Sequence, residues 1–457
     1  MKIVVLHGSP KGEQSVTMQY VRYLEKKLPG HTWSEVQTAS RILKLEQDAD
    51  EFARVIGLVR DADIVLWSFP LYHLLVPSQM KRFIELVAER GVQDSFFGKY
   101  SAAIMTSIHY YDHTARNYIH AVSEDLGMRF SGAFTPAMDD LKNEQTQKNL
   151  VAFMNRAIDE RSRGLALPVS FPALNARSFE YRPGAAAAKC DAAGLRVRVL
   201  YDGASGGNAK AMAERFASRF ESAELLDLSA LDIRGGCLGC MKCGAKNICV
   251  YDGSDGFRPA FERMVLDADI VVFAGTIRDR YLSASFKRFF DRSFFLNHKG
   301  AYEKKQICWL VSGPLGQIPN LRQIMEGYAD VSRGNLAGAV SDESGDSAFI
   351  DAQIDALAER AAEFSRCGYI APSTFLGEGG RRIFRDEIWA GMRIIFAEDY
   401  RYFRKTGRFD FPQKKIINRT AVPLAGLLFR IPALRRMLNR EMKRGMAAPL
   451  QKVVEKA

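Results

Sequence analysis

Asp61-Ala62-Asp63-Ile64-Val65-Leu66 returns as Asp267-Ala268-Asp269-Ile270-Val271-Val272, displaced by 206 residues. Met80-Lys81-Arg82-Phe83-Ile84-Glu85 returns as Phe286-Lys287-Arg288-Phe289-Phe290-Asp291 at the same displacement, as does Thr106-Ser107 in Ser312-Gly313. At the front, residues 2–6 match 196–200 at a displacement of only 194. The second copy therefore holds about a dozen extra residues before Asp267, and a cysteine-rich segment lies in that interval as an insertion into a shared scaffold.

Within the first copy, residues 3–6, 64–67 and 102–105 are short and continuously apolar, as strands buried on both faces are. Residues 16–28, 51–60, 78–90 and 115–126 carry helical spacing instead. Strand–helix alternation requires crossover connections, so each copy predicts an α/β fold with a doubly wound parallel sheet. The expected division is a domain over 1–165, a linker over 166–194 containing Pro168, Pro172 and Pro183, a domain over 195–370 and an extension over 371–457. Ligands of such sheets sit beyond the carboxyl ends of the strands.

The 457 residues are 47% hydrophobic and 26% charged, which excludes wholesale disorder. No apolar run approaches the roughly 20 residues of a membrane span, and the opening apolar stretch is too short for a signal peptide. A cytoplasmic protein is expected. The net charge of +11 belongs to the end of the chain: residues 376–457 hold 19 Lys+Arg and 8 Asp+Glu, leaving 45 of each sign elsewhere. This extension interleaves Tyr400, Arg401, Tyr402, Phe403 and Arg404, then runs through 421–429 to Arg430, Arg435 and Arg436. It reads as a basic helical extension packed on the body or a second subunit of a homo-oligomer. A peripheral membrane surface or an acidic redox partner is the next expectation, and nucleic acid is not expected, since no recognition motif accompanies the charge.

The first strand runs into His7-Gly8-Ser9-Pro10-Lys11-Gly12-Glu13-Gln14-Ser15-Val16-Thr17 and then a helix. A hydroxyl-rich loop at a helix N-terminus offers N–H groups and the positive dipole end to a phosphate, although a simple cap reads the same way. After 64–67 comes Ser68-Phe69-Pro70-Leu71-Tyr72-His73, and after 102–105 comes Thr106-Ser107-Ile108-His109-Tyr110-Tyr111. Three such strand ends can frame a planar ring. His109 and His113, four apart, read as a metal pair on one helical face or, more simply, as polar residues at a helix start.

The combination of Gly8-Ser9-Pro10-Lys11 with Ser15 and Thr17, and of Pro70-Leu71-Tyr72 with Pro77, Lys81 and Phe83, resembles the flavodoxin-like NAD(P)H-dependent FMN reductases. The resemblance covers both copies and implies two tandem flavodoxin-like domains. It implies that Ser9, Lys11, Ser15 and Thr17 hold the FMN phosphate, while Pro70, Leu71, Tyr72, Thr106 and Ser107 border the isoalloxazine. It also implies NAD(P)H as donor, with no nicotinamide motif visible. In the second copy Gly203-Ala204-Ser205-Gly206-Gly207-Asn208 is a further phosphate loop, with Ser205, Gly207 and Asn208 as its candidate residues. There, however, Thr276-Ile277-Arg278 stands where the first copy has Pro-Leu-Tyr.

Cys237, Cys240, Cys243 and Cys249 form a C-x2-C-x2-C-x5-C arrangement. Three thiolates spaced by two residues can wrap one face of a cuboidal cluster, and a fourth can close it. Lys242 and Lys246 are expected to favour thiolates. The spacing is similar to that of the iron–sulfur flavoproteins of the same superfamily, which implies one [4Fe–4S] cluster on these four residues. Unliganded thiols remain an alternative. So does zinc, less suited because structural zinc sites usually pair two C-x2-C knuckles across a longer gap.

These features predict a flavin oxidoreductase that passes electrons from NAD(P)H, or a ferredoxin-like donor, through FMN and a cluster to a small-molecule or protein acceptor. The contrasting reading is a non-redox, duplicated scaffold with a zinc or empty thiol knuckle. No side chain stands out as a catalytic acid or base.

Overall fold

In a computed structural model of the chain, residues 1–410 other than 186, 193 and 297 are described, together with 431–433. The stretch at 421–429 and the basic residues beyond 433 lie outside the described residues. Met1–Tyr400 form one compact unit and Arg401–Ala457 a second. In the latter, Arg408 donates to the Tyr402 hydroxyl at 2.8 Å and lies over its ring.

β1 (Lys2–His7) sends Ile3 and Val5 to one face and Val4 and Leu6 to the other, all four buried. Both faces are covered by helices, so the strand reads as unbroken hydrophobicity rather than alternation. Then follow α1 (Val16–Lys27), β2 (Thr32–Gln37), α2 (Ile42–Gln47), α3 (Ala49–Asp61), β3 (Ile64–Pro70), α4 (Ser78–Glu89), β4 (Tyr100–Thr106), α5 (Asp112–Asp125), β5 (Arg129–Phe134) and α6 (Glu144–Ser162). The strands pair in the order β2-β1-β3-β4-β5, all parallel. This is the flavodoxin-like order 2-1-3-4-5.

The second half repeats it with β6 (Val197–Tyr201), α7 (Gly207–Ser218), β7 (Ala223–Asp227), α8 (Phe257–Phe261), β8 (Ile270–Thr276), α9 (Ala284–Arg292), β9 (Gln306–Ser312), α10 (Pro319–Val331), β10 (Asn335–Ser341) and α11 (Ser347–Cys367). Its order, β7-β6-β8-β9-β10, is the same 2-1-3-4-5, again all parallel. The connection after β2 needs only Thr38 to Asp48, whereas that after β7 runs from Leu228 to Gly256 and carries the cysteines. Two helices follow, α12 (Phe375–Trp389) and α13 (Ala397–Lys405). No helix among the described residues is long and apolar enough to cross a membrane.

The two halves meet through α4 and α9, and the contacts are reciprocal. Asp291 of α9 accepts from the Ser78 amide that opens α4, and Glu85 of α4 accepts from the Ala284 amide that opens α9, each at 2.7 Å. A carboxylate at a helix N-terminus meets unsatisfied N–H groups and the positive dipole end. Each acid also pairs with a fully buried lysine on its own helix, Glu85 with Lys81 at 2.7 Å and Asp291 with Lys287. Such i-to-j and j-to-i exchange is the signature of an isologous dimer interface, here made within one chain. A single hydrophobic core runs across this interface, from Trp67 and Phe83 to Phe273 and Trp309, while α1 with α6 and α7 with α11 cover the outer faces.

Candidate functional site

The loop between β1 and α1 turns through a short 3₁₀ segment, Gly12–Gln14, with Gly12 at φ +55°. Gly8 is closely packed: a Cβ there would strike Met80. Ser9, Ser15 and Thr17 are all buried. Ser9 Oγ accepts from the Lys11 amide at 3.3 Å, and Thr17 shares a 2.6 Å hydrogen bond with the Thr106 hydroxyl. Ser15 occupies the N-cap of α1, yet its hydroxyl makes no cap bond and has no partner, though buried. A buried, unsatisfied hydroxyl beside uncapped N–H groups is costly unless a ligand completes it. The donor set fits a phosphate.

β3 and β4 bring the ring-side residues to the same edge. The Leu71 amide donates to Thr106 O at 3.0 Å, joining the two loops directly. Pro70, Leu71 and Tyr72 are half-buried, Thr106 and Ser107 buried, and Ser107 Oγ accepts from the His109 amide at 2.9 Å. After Tyr72 the chain makes a tight turn with His73 and Leu74 both at positive φ. The Tyr72 hydroxyl is buried without a partner, and burial, with Cys237, Asp291 and Cys240 nearby, pushes its pKa well up. The structure thus gathers all nine predicted residues of the first half at one end of its sheet.

Two contributors come from the other half: Lys287, which the sequence did not single out, and the cysteine loop, whose place over the first half's loops it did not reveal. Lys287 Nζ donates to Tyr72 O at 2.8 Å, pinning the ring-side turn. The cysteine loop then lies over the same place: Gln79 Nε2 donates to Cys237 O at 3.1 Å, and a Cβ on Gly239 would strike the Tyr72 hydroxyl and Lys11. The only sequence signal was a lysine and an acid four residues apart inside otherwise apolar helices, repeated at 206 residues.

The cysteines sit on a tightly turned backbone, with Gly239, Met241 and Asn247 at positive φ. Cys240 is exposed, Cys243 buried and the other two half-buried, none in a disulfide. The Gly239 amide donates to Cys237 Sγ at 3.4 Å. Contrary to the expectation from Lys242 and Lys246, burial and neighbouring thiols push Cys237 and Cys243 up to about 12. Desolvation is the largest cause, and Lys242 and Lys246 are both exposed. No three ligating side chains converge on a single-ion position among the described residues. His109 and His113 do not pair either: α5 begins only at Asp112, and His109, at φ +64°, bonds Asp112 instead.

In the second half several strand-end donors are engaged within the chain. Asp227 accepts from the Gly203 amide at 2.9 Å. Asn208 gives its amide to Asp342 at 2.7 Å and to Phe179 O, and accepts from the Tyr181 amide. Asp342 also holds Ser312 Oγ and the Gly313 amide, each at 2.7 Å. Gly207 opens α7 behind Gly206 at φ +126°, and the Ser205 side chain lies outside what is described. Carboxylates and the linker thus engage Gly203, Asn208, Ser312 and Gly313, while the start of α7, like that of α1, has no side-chain cap and the buried Thr276 hydroxyl has no partner.

Residues 1–143 match the family described as NADPH-dependent FMN reductase. The FMN reductase match thus ends within the first half, at the domain whose loops fit a phosphate. No curated protein matches the chain. Solved structures similar to part of it include an NADH:FMN oxidoreductase (EMOB) in its apo form, 18% identical over 36% of this chain and 89% of that one, with a TM-score of 0.30. Another is FerB, a flavoenzyme NAD(P)H:(acceptor) oxidoreductase from Paracoccus denitrificans, at 19%, 34%, 97% and 0.28 respectively. General stress protein 14 from Treponema denticola in complex with FMN gives 13%, 36%, 100% and 0.27.

Proposed function

We propose that the chain is a flavin oxidoreductase that binds FMN in its first half, takes electrons from NAD(P)H and relays them through a [4Fe–4S] cluster on Cys237, Cys240, Cys243 and Cys249. The observation that carries the flavin reading is the buried, partnerless Ser15 hydroxyl at the uncapped start of α1, within the segment matching the FMN reductase family. Ser9, Lys11, Ser15 and Thr17 would hold the phosphate, and Pro70, Leu71, Tyr72, Thr106 and Ser107 would border the ring.

Cys237 lies within electrostatic reach of Cys243 and Cys249, and Cys243 of Cys240. The preference for a cuboidal cluster over zinc rests on the C-x2-C-x2-C-x5-C spacing, since structural zinc sites usually pair two C-x2-C knuckles across a longer gap. FMN exchanges electrons in pairs or singly and a cluster one at a time, so together they convert a two-electron donor into single-electron traffic. The chain's own part is positional. Lys287 fixes the Tyr72 carbonyl, Gln79 fixes the cysteine loop, and Gly239 lets that loop approach Tyr72 and Lys11 without a side chain between them.

Anaerobic purification followed by an absorption spectrum tests this. Flavin bands with a broad brown shoulder bleached by dithionite are expected. Flavin without iron would leave an FMN reductase with bare thiols. A colourless protein that refuses added FMN would leave the non-redox scaffold.

A further inference from the structure

A cleft of about 620 Å³ opens between the two halves, bounded by α2, α4, the start of α9 and the cysteine loop. Pro10 of one strand-end loop and Ala204 of its counterpart both line it. Its charges do not cancel. Glu46, Glu85 and Glu89 are taken by Arg82 at 2.8, 3.3 and 2.6 Å, and Asp202 receives the Ser283 hydroxyl. Lys44, Arg234, Arg278 and Arg288 also line the cleft, and none of them has an ion pair among the described residues.

Arg288 decides the matter. It stands 206 residues after Arg82, at the equivalent place on α9, yet where Arg82 meets three carboxylates, Arg288 has no hydrogen-bond or ion-pair partner among the described residues. It is half-buried, and burial draws its pKa down against the field of Glu46 and Asp202. A guanidinium carries five donors in a planar fork matched to phosphate or carboxylate, and leaving it partly desolvated and unanswered is unfavourable. The lining carries six Lys or Arg side chains against four carboxylates, an excess of positive charge that favours an anionic ligand. Leu43 and Leu238, both exposed, add an apolar wall for a carbon skeleton.

We propose that this cleft binds a multiply charged organic phosphate, gripped by Arg288 with Lys44, Arg234 and Arg278. The site involves none of the residues assigned to FMN and stands whether or not flavin binds.

The test is calorimetric titration of inorganic pyrophosphate into the full chain, flavin-loaded if flavin is present and otherwise as purified. Binding that weakens with added salt is expected, with affinity falling about ten-fold in Arg288→Gln, the scale of a lost charge-assisted contact. Arg234→Gln, at an exposed position, gives a smaller loss and serves if the first variant fails to fold. Competition by NADPH would assign the phosphate to the dinucleotide donor, and pyrophosphate binding untouched by NADPH would assign it to a free phosphorylated compound; either supports the site. No binding, or binding unchanged in whichever variants fold, overturns it.

Discussion

Ser15 and His73 each carry a buried polar atom with unmet capacity, and they lead to opposite experiments. The Ser15 hydroxyl makes no hydrogen bond in the chain itself, so nothing is lost when it is removed. Ser15→Ala should leave the thermal melt of flavin-free protein unchanged while weakening FMN roughly 10- to 100-fold, the worth of a hydrogen bond to a charged group. Quenching of flavin fluorescence reads the affinity. A lowered melt with unchanged affinity would make Ser15 structural. His73 is a stability element instead. Burial, with Lys287 and His298 nearby, lowers its pKa to about 3. Between pH 6.5 and 3 the unfolded chain therefore binds a proton that the folded chain refuses, so stability falls as pH falls through that window. Asn tolerates the positive φ of this position and does not titrate there. His73→Asn should thus lose about 2 kcal/mol less than the parent between pH 7 and 5, at 1.4 kcal/mol per pH unit. Urea unfolding at the two pH values checks it, and parallel losses would remove His73 as the cause.

At the scale of elements, the α4–α9 pair is stabilised by two carboxylates that each serve a helix start and a buried lysine. Removing one leaves a buried cation without its partner, a change that typically costs about 3–5 kcal/mol. Asp291→Ala should show that loss in the urea midpoint, and Lys287→Met with Asp291→Leu should recover most of it, since the charge leaves with its partner. Equal losses in the single and double variants would mean the cap on Ser78, not the ion pair, carries the effect. α4 was legible in the sequence to within a few residues from its helical spacing, and β1, β3 and β4 because both faces of each strand are covered. β2 was not. In Thr32-Trp33-Ser34-Glu35-Val36-Gln37 only Val36 is buried, so an edge strand leaves no apolar run to read. The nine residues proposed for FMN were legible as members of strand-end loops, and the structure places them at one end of the first sheet. That the cysteines would lie over the first half's loops was not, because the docking of α4 on α9 decides it and no local pattern encodes that docking.

The whole molecule has two sheets of one design with different work assigned to each. In the first, the buried Ser15 hydroxyl has no partner at an uncapped helix start; in the second, where α7 is equally uncapped, Asp227, Asp342 and the linker at Phe179 and Tyr181 engage Gly203, Ser312, Gly313 and Asn208. A fixed carboxylate where a phosphate should sit repels it as well as competing for the same N–H groups. On the proposed function, the second half acts as a built-in partner subunit, contributing Lys287 and the cysteine loop rather than a flavin of its own. Flavin released by denaturation and measured against protein should therefore give one FMN per chain. Asn208→Ala, which unties the linker, should lower the melting temperature and leave that ratio at one, whereas Ser15→Ala combined with Thr17→Val should drive it toward zero. A ratio of two, or a ratio that falls in Asn208→Ala, would place flavin in the second half and reverse this division of labour.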